Sequence, residues 1–199
     1  MTSDPPKKLL VLDLDETLVH ATGQPLAHAA DFLVGPYHVY KRPHVDAFLA
    51  AMLQAFDVGV WTSSGDRYAA AVVAQLFPQD VLRFVWASDR CTTARDFTTG
   101  EYVALKPLVK LKKHGFAMES MIAVDDTPGK HVRNYGNLVT VREFTGDRSD
   151  DELLLLARYL PMLIAQPDMR LVDKRQWRDE ARAALEAAGD RPGTAMGMS

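Results

Sequence analysis

The chain has 199 residues, of which 47% are hydrophobic and 25% are charged, and its formal net charge is −3. This composition is typical of a soluble globular protein with one sizeable core. No basic stretch is long enough to follow a phosphate backbone, so we expect no nucleic acid as a partner.

The cysteine content and the short apolar runs indicate where in the cell the protein is expected to be located. The single cysteine, Cys91, excludes an intramolecular disulfide and argues against a zinc site built from cysteines. The apolar run near the N-terminus is too short for a signal peptide. The apolar stretch over residues 153–165 is too short to span a bilayer. We therefore expect a cytoplasmic protein with no membrane partner.

Strand-like and helix-like segments alternate along the chain. Five short apolar runs predict buried strands, at residues 8–12, 57–61, 84–87, 121–124 and 138–141. Helices are predicted between and after them, at residues 43–56, 67–77 and 107–113, from 128 onward, and over 153–164. Two further segments, 32–42 and 88–105, predict hairpins or extended loops.

Several helix starts carry local signals. Pro43 and Pro128 suit a first helical position, and Asp66 or a neighbouring serine suits a cap. Ser149 and Glu152 have the spacing of a capping box ahead of the last predicted helix.

The end of the chain differs in composition from the rest. After residue 167 it becomes charged and alanine-rich, with an amphipathic piece around 177–188. The tail over 189–199 is expected to be disordered. We predict one domain over residues 1–166 and a helical or disordered extension over 167–199.

Chemically active side chains stand where the predicted strands end. The alternating elements predict a parallel sheet with helices on both faces, and such sheets bind ligands beyond the carboxyl ends of their strands. The polar residues at those ends, or just ahead of a helix, are Asp13, Asp15, Thr62, Ser63, Lys106, Asp125 and Asp126. We expect these carboxylates, hydroxyls and one amine to converge on one edge of the sheet.

The acidic members of this group predict a divalent-cation site. Asp13 and Asp15 are two residues apart on an extended segment, so their side chains leave the backbone on the same side. A close pair of carboxylates resists double ionisation unless a cation lies between them or one holds a proton. With Asp125 and Asp126 added, the hard oxygen ligands favour Mg²⁺, which keeps positions for water and a substrate phosphate.

The same group fills the roles that phosphoryl transfer requires. Asp13 is the candidate nucleophile, and Asp15 is the candidate general acid and base. Lys106 and the metal would offset charge on the phosphoryl oxygens, while Thr62 and Ser63 would orient them. Each residue also has an ordinary interpretation, as a helix cap, a turn residue or a solvated surface lysine. The order of the motifs and their common position favour an active site.

Four segments carry a resemblance to a known family. They are LDLDETLVH at 12–20, KRPHVDAFL at 41–49, VWTSS at 60–64 and VDDTP at 124–128. They resemble the motifs of the haloacid dehalogenase (HAD) superfamily. Within it they are most similar to the small C-terminal-domain phosphatases of RNA polymerase II, also called NLI-interacting-factor-like phosphatases. The similarity runs from about residue 7 to residue 163.

The resemblance implies a HAD-like, Rossmann-like parallel sheet with small hairpin inserts and no large cap. It implies an aspartyl-phosphate intermediate on Asp13, an acid/base role and a backbone metal contact for Asp15, and Mg²⁺ as cofactor. It implies phosphate binding by Thr62 and Lys106, and a metal site completed by the Asp125–Asp126 pair, with Asp126 the preferred direct ligand. Its substrates would be phosphoserine or phosphothreonine proteins.

Two departures and three alternatives accompany the resemblance. Asp126-Thr127 stands where members often have Asn-Ser, and Pro107 follows the motif lysine where members often have Asp. The alternatives are a small-molecule phosphatase, a catalytically silent binding module and, for the individual motifs, the ordinary interpretations above. The six histidines are scattered and none pairs at a metal spacing, so core or surface roles are expected for them. Tyr37 and Tyr40 would either line the substrate approach or pack in a turn.

Overall fold

A computed structural model of the chain describes residues 7–95, 100–187 and 189. Its strands are β1 (Leu9–Leu12), β2 (Val19–Thr22), β3 (Phe32–Val34), β4 (Tyr37–Lys41), β5 (Asp57–Trp61), β6 (Val85–Trp86), β7 (Thr92–Arg95), β8 (Tyr102–Leu105), β9 (Met121–Asp125) and β10 (Leu138–Thr140). Its α-helices are α1 (Val45–Ala55), α2 (Asp66–Leu76), α3 (Glu152–Met162) and α4 (Trp177–Ala187). The segments predicted as helices after Pro107 and at Pro128 are 3₁₀ helices, Leu108–His114 and Pro128–His131.

The main sheet has five parallel strands in the order β10-β9-β1-β5-β6. All five predicted strands belong to it, and β1 lies at its centre with every residue buried. In register, Leu12 lies opposite Val60 on one side and Val124 on the other. The residues that follow these three positions therefore come out at one edge of the sheet.

Side chains of the central strands alternate between two hydrophobic clusters, one on each face of the sheet. Leu10 and Leu12 pack into the larger cluster with residues of all four α-helices, whereas Leu9 and Val11 face the smaller one. The smaller cluster is covered by aromatic residues and by the 3₁₀ helix Leu108–His114, which contributes Leu108 and Leu111. This alternation follows from the two-residue period of a strand, and it confirms the predicted sheet with helical cover on both faces.

Two small antiparallel sheets decorate the main one. Strands β2, β4 and β3 form a three-stranded insert after β1, and β7 pairs with β8. Both predicted hairpin segments therefore contain an antiparallel pair of strands among the described residues. The described residues hold no large cap domain over the edge of the main sheet.

The helix starts differ from the local signals in the sequence. Helix α1 begins at Val45 rather than Pro43, because His44 takes a left-handed conformation with φ of 67°. Helix α2 is capped by Gly65 and not by the side chain of Asp66. The predicted capping box is also wrong, because the Glu152 carboxylate accepts the backbone N–H of Arg142 and ion-pairs with Arg178. The Glu152 carboxylate therefore takes part in tertiary contacts and does not cap its own helix.

The segment after residue 166 packs on the same core. Met169 is buried, and Trp177, Ala181 and Leu185 of α4 join the larger hydrophobic cluster beside α3. The division at residue 166 remains a prediction, and the predicted disorder of the tail falls almost entirely on residues outside those described. Among the described ranges, no helix combines the length and hydrophobicity that a membrane crossing requires.

Candidate active site

Three strand ends meet at the carboxyl edge of the sheet. The backbone N–H of Asp13 donates to the Val124 carbonyl at 3.0 Å, and that of Thr62 donates to the Trp86 carbonyl at 2.9 Å. Asp125 closes β9 beside them. These hydrogen bonds continue the sheet by one residue beyond β1 and β5. Asp13, Thr62 and Asp125 therefore lie side by side at the carboxyl edge of the sheet.

Lys106 joins two of the buried carboxylates. Its Nζ lies 2.9 Å from Asp13 Oδ1 and 2.6 Å from Asp125 Oδ2, and all three side chains are no more than 2% exposed. A buried ammonium requires paired anions, since an isolated charge in the interior is very costly. Lys106 lies directly after β8, where its backbone N–H donates to the Lys130 carbonyl at 2.8 Å.

The two carboxylates of this pair titrate differently. Burial raises the pKa of Asp13 to about 6, although the positive charge of Lys106 opposes the rise. Burial acts in the same direction on Asp125, but the hydrogen bond from His131 and the charge of Lys106 outweigh it and lower its pKa below the ordinary value. Asp125 is therefore the permanent anion of the pair, and Asp13 is the more basic oxygen donor.

His131 is fixed by a buried chain of hydrogen bonds. Asn134 Oδ1 accepts the backbone N–H of Leu108 at 3.1 Å, so its amide nitrogen faces His131 Nδ1 at 2.8 Å and donates to it. His131 Nε2 must then carry the proton, and it lies 3.1 Å from Asp125 Oδ2. Burial lowers the pKa of His131, in keeping with a neutral ring. The sequence predicted a core or surface role for His131 and did not predict its contact with Asp125.

The Asp15 side chain faces a separate set of donors. Its Oδ2 accepts Ser64 Oγ at 2.6 Å and Thr62 Oγ1 at 3.4 Å, and its Oδ1 accepts the Tyr68 hydroxyl at 2.5 Å. Burial and the adjacent Asp15 charge raise the pKa of Tyr68, so its phenol stays protonated and donates. Asp15 is thus oriented from α2 and its preceding loop. Neither Ser64 nor Tyr68 was identified from the sequence.

The two hydroxyl residues after β5 occupy different positions. Thr62 is buried, and its Oγ1 accepts the backbone N–H of Ser64 at 3.0 Å while facing Asp15. The Ser63 Oγ atom is buried and has no hydrogen-bond partner within the described part of the chain. A buried hydroxyl without a partner is uncommon, and a bound phosphoryl oxygen would satisfy it.

Asp13, Asp125 and Asp126 form a potential cation site. One oxygen from each lies within 4.8 Å of the others. Asp126 is held by Thr127, whose Oγ1 donates to its Oδ2 at 2.9 Å. Three carboxylate oxygens are hard donors of the kind that Mg²⁺ prefers, so the residues present fit this ion. The side chain of Asp15 is not part of the cluster, and a metal contact of this residue would have to use its backbone oxygen.

Lys130 also reaches the acidic cluster, and the sequence reasoning missed it. Its Nζ lies 3.1 Å from Asp13 Oδ2, 3.7 Å from Asp125 Oδ1 and 4.0 Å from Asp126 Oδ1. The 3₁₀ helix Pro128–His131 carries Lys130 and His131 back over the strand end. The sequence feature that could have indicated this contact is a lysine and a histidine that closely follow the Asp125–Asp126 pair and Pro128.

An open cavity of about 360 Å³ adjoins Asp15. Its lining residues are Asp15, Glu16, Ala21, Tyr37, Ser64, Gly65 and Tyr68. Tyr37 stacks edge-on against Tyr68 with ring centres 6.0 Å apart, whereas Tyr40 is buried and accepts the backbone N–H of Leu26. Burial and the neighbouring Asp15 carboxylate raise the pKa of Glu16 to about 7.

Residues 8–170 match the sequence profile of a family described as NLI interacting factor-like phosphatase. A probable C-terminal domain small phosphatase of Dictyostelium discoideum is 37% identical over 173 residues, which are 83% of this chain and 53% of that protein. The human CTD small phosphatase-like protein is 36% identical over 171 residues, or 82% of this chain and 58% of that protein. The chain thus spans little more than half the length of these two curated relatives.

One relative is covered more fully. CTD nuclear envelope phosphatase 1 of Xenopus tropicalis is 30% identical over 185 residues, which are 85% of this chain and 72% of that protein. Among solved structures, Fcp1, an RNA polymerase II CTD phosphatase, aligns with a TM-score of 0.54 and 18% identity, over 94% of this chain and 51% of that chain. At this identity, the structural likeness concerns the fold.

Proposed function

This chain belongs to the NLI interacting factor-like phosphatases, as its motifs predicted, and from this premise we propose that it is a magnesium-dependent phosphomonoester hydrolase. The reaction would proceed through an aspartyl phosphate on Asp13. The observation that carries the proposal is the buried Asp13 carboxylate, held 2.9 Å from Lys106 and grouped with Asp125 and Asp126. Such a costly arrangement of buried charges is typical of functional sites.

In the first step, an Asp13 oxygen attacks phosphorus. Asp13 Oδ1 accepts the Leu14 N–H at 2.8 Å and contacts Lys106, whereas Oδ2 contacts Lys130 at 3.1 Å. A bond forms between one Asp13 oxygen and phosphorus while the bond to the leaving oxygen breaks, and Asp15 donates its proton to that oxygen. Lys106 offsets charge on the phosphoryl group, and Thr62 and Ser63 orient its oxygens.

In the second step, Asp15 acts as a base. It takes a proton from water, the water oxygen bonds to phosphorus, and the bond to Asp13 breaks to release phosphate. Hydrogen bonds from Ser64 and Tyr68 hold the Asp15 carboxylate in place for both transfers. Mg²⁺, held by Asp13, Asp125 and Asp126, would supply positive charge to the phosphoryl oxygens throughout.

We propose phosphoserine or phosphothreonine in a protein as the substrate. The inserts are small hairpins, and the adjoining cavity of about 360 Å³ is open, so a segment of a protein chain could reach the edge of the sheet. The curated relatives are named as CTD phosphatases, which speaks for a protein substrate without identifying it. A cytoplasmic location is proposed on the sequence features alone.

The test is turnover of a chromogenic aryl phosphate by the purified chain, with Mg²⁺ and with EDTA. We expect activity that requires Mg²⁺ and is lost in Asp13→Asn, which keeps the shape of the side chain. Retained turnover in Asp13→Asn would refute the assignment of the nucleophile. A panel of phosphopeptides, sugar phosphates and nucleotides would then separate a protein substrate from a small metabolite, and no turnover of any of them would favour a silent binding module.

A further inference from the structure

We propose that Lys130 is a built-in counterion that occupies the cation position between Asp13, Asp125 and Asp126 in the metal-free protein, and that Mg²⁺ must displace its ammonium group to bind. The inference rests on the metal site of the proposed function and adds a residue that controls occupancy of that site.

The distances place the ammonium inside the acidic cluster. Lys130 Nζ lies 3.1 Å from Asp13, 3.7 Å from Asp125 and 4.0 Å from Asp126, using oxygens of the same three residues that group within 4.8 Å. A divalent ion bound to these carboxylates would share that small volume with a positive charge. Like charges a few ångströms apart repel strongly in a partly buried site, so the two cations exclude each other.

Two lysines reach the site, but they differ in their freedom to move. The Lys106 side chain is 1% exposed and bridges two buried carboxylates, so it is fixed in place. The Lys130 side chain is 23% exposed. A flexible four-carbon stem with access to water can swing outward at little cost.

The backbone at Lys130 is anchored, so displacement involves the side chain alone. Its N–H donates to the Thr127 carbonyl at 3.1 Å, and its carbonyl accepts the Lys106 N–H at 2.8 Å. The 3₁₀ turn can therefore stay in place while the ammonium leaves. In the metal-free state, Lys130 lowers the repulsion among the three carboxylates. In the metal-bound state, Mg²⁺ would lower this repulsion instead.

Competition of this kind lowers the apparent affinity for metal. If the ammonium occupies the site about nine-tenths of the time, the apparent dissociation constant for Mg²⁺ rises roughly tenfold. Removing the ammonium should reverse the effect. Lys130→Met keeps the length of the side chain and removes its charge. Lys113→Met is the matched control, because Lys113 is an exposed lysine on the 3₁₀ helix Leu108–His114.

The first test is isothermal titration of Mg²⁺ into the metal-free chain and its two variants, together with thermal melts in EDTA. We expect Lys130→Met to bind Mg²⁺ about tenfold or more tightly and to melt at a lower temperature in EDTA, with Lys113→Met unchanged in both. Unchanged or weaker Mg²⁺ binding by Lys130→Met would overturn the proposal. If the unaltered chain and Lys130→Met both fail to bind Mg²⁺, the metal site of the proposed function fails, and this inference fails with it.

A second test needs no variant and therefore does not depend on the folding of Lys130→Met. The unaltered chain is treated briefly with an amine-acetylating reagent, with and without Mg²⁺, and the labelled peptides are quantified by mass spectrometry. Mg²⁺ should increase labelling of Lys130 severalfold, while Lys106 stays protected and Lys113 does not change. Equal labelling of Lys130 in the two conditions, with Mg²⁺ binding established by titration, would overturn the displacement.

Discussion

The buried ion pair between Arg42 and Asp150 ties the three-stranded insert to the active-site edge. Arg42 follows β4, and its side chain is fully buried. Its Nε lies 2.7 Å from Asp150 Oδ1 and its Nη2 lies 2.8 Å from Oδ2, while Nη1 donates to the Thr17 carbonyl at 3.1 Å. Thr17 lies in the loop that carries Asp13 and Asp15, so this one guanidinium joins three parts of the chain.

Asp150→Asn should destabilise the fold strongly. The substitution leaves a buried guanidinium without an anion, which typically costs about 3–5 kcal/mol. The Asp150 side chain is 15% exposed, so water can partly replace it, and we expect a value of about 3 kcal/mol at the low end of that range. For a chain of this size, that loss corresponds to a decrease in Tm of roughly 6–12 °C.

The assay is urea unfolding monitored by circular dichroism. Asp46→Asn is the control, because Asp46 meets Lys41 at 2.8 Å but is 71% exposed, and we expect it to lose less than about 1 kcal/mol. The double variant Arg42→Met with Asp150→Asn should lose less than the sum of the single variants by about 1 kcal/mol or more. Equal small losses for Asp150→Asn and Asp46→Asn would refute the reasoning.

Three further predictions concern the residues around the site. Tyr68→Phe removes a donor to Asp15, and we expect kcat to fall roughly tenfold or more with an unchanged melting temperature, whereas an unchanged kcat would contradict the positioning role. The raised pKa of Glu16 means that the folded state holds its proton more tightly, so the stability contribution falls as pH rises from about 4.5 to 7. Glu16→Gln should therefore stabilise the metal-free chain by about 1–3 kcal/mol at pH 8 and leave it nearly unchanged at pH 4, in urea unfolding with EDTA. Asn134→Ala leaves His131 Nδ1 and the Leu108 N–H unpaired and should cost about 1–3 kcal/mol in the same assay, and no loss would contradict the buried network.

The strands were predictable because a parallel sheet buries both faces of each strand. Its strands then read as short, continuous apolar runs bounded by charge, and the run at 57–61 is strand β5 (Asp57–Trp61) with the same bounds. The position of Asp13, Thr62 and Asp125 at one edge follows from the same rule, because parallel strands end on one side.

The helix starts were less predictable because tertiary contacts compete with local capping. Glu152 has the spacing of a capping box, but its carboxylate is buried and paired with Arg178 from α4. The backbone N–H of Glu152 instead donates to Asp150 at 3.0 Å, and Asp150 is itself held by Arg42. Arg178 and Arg42 are distant in sequence from Glu152 and Asp150, so a local sequence pattern cannot predict these ion pairs.

The secondary contacts of the site were missed for a related reason. Lys130 and His131 follow Pro128, where the sequence predicted only the start of a helix. The short 3₁₀ helix turns back instead and places Lys130 and His131 against Asp13 and Asp125. Tyr68 reaches Asp15 from the first turn of α2, a contact that depends on how this helix packs.

The central claim is that Asp13 becomes phosphorylated during turnover. The most direct measurement is to quench the chain with borohydride while it turns over an aryl phosphate in Mg²⁺, and then to map the products by peptide mass spectrometry. An acyl phosphate is reduced by borohydride to an alcohol, so we predict homoserine at position 13 in a substrate-dependent amount, and none in EDTA. Turnover without any reduced product at this position, or reduction at Asp15 instead, would contradict the account.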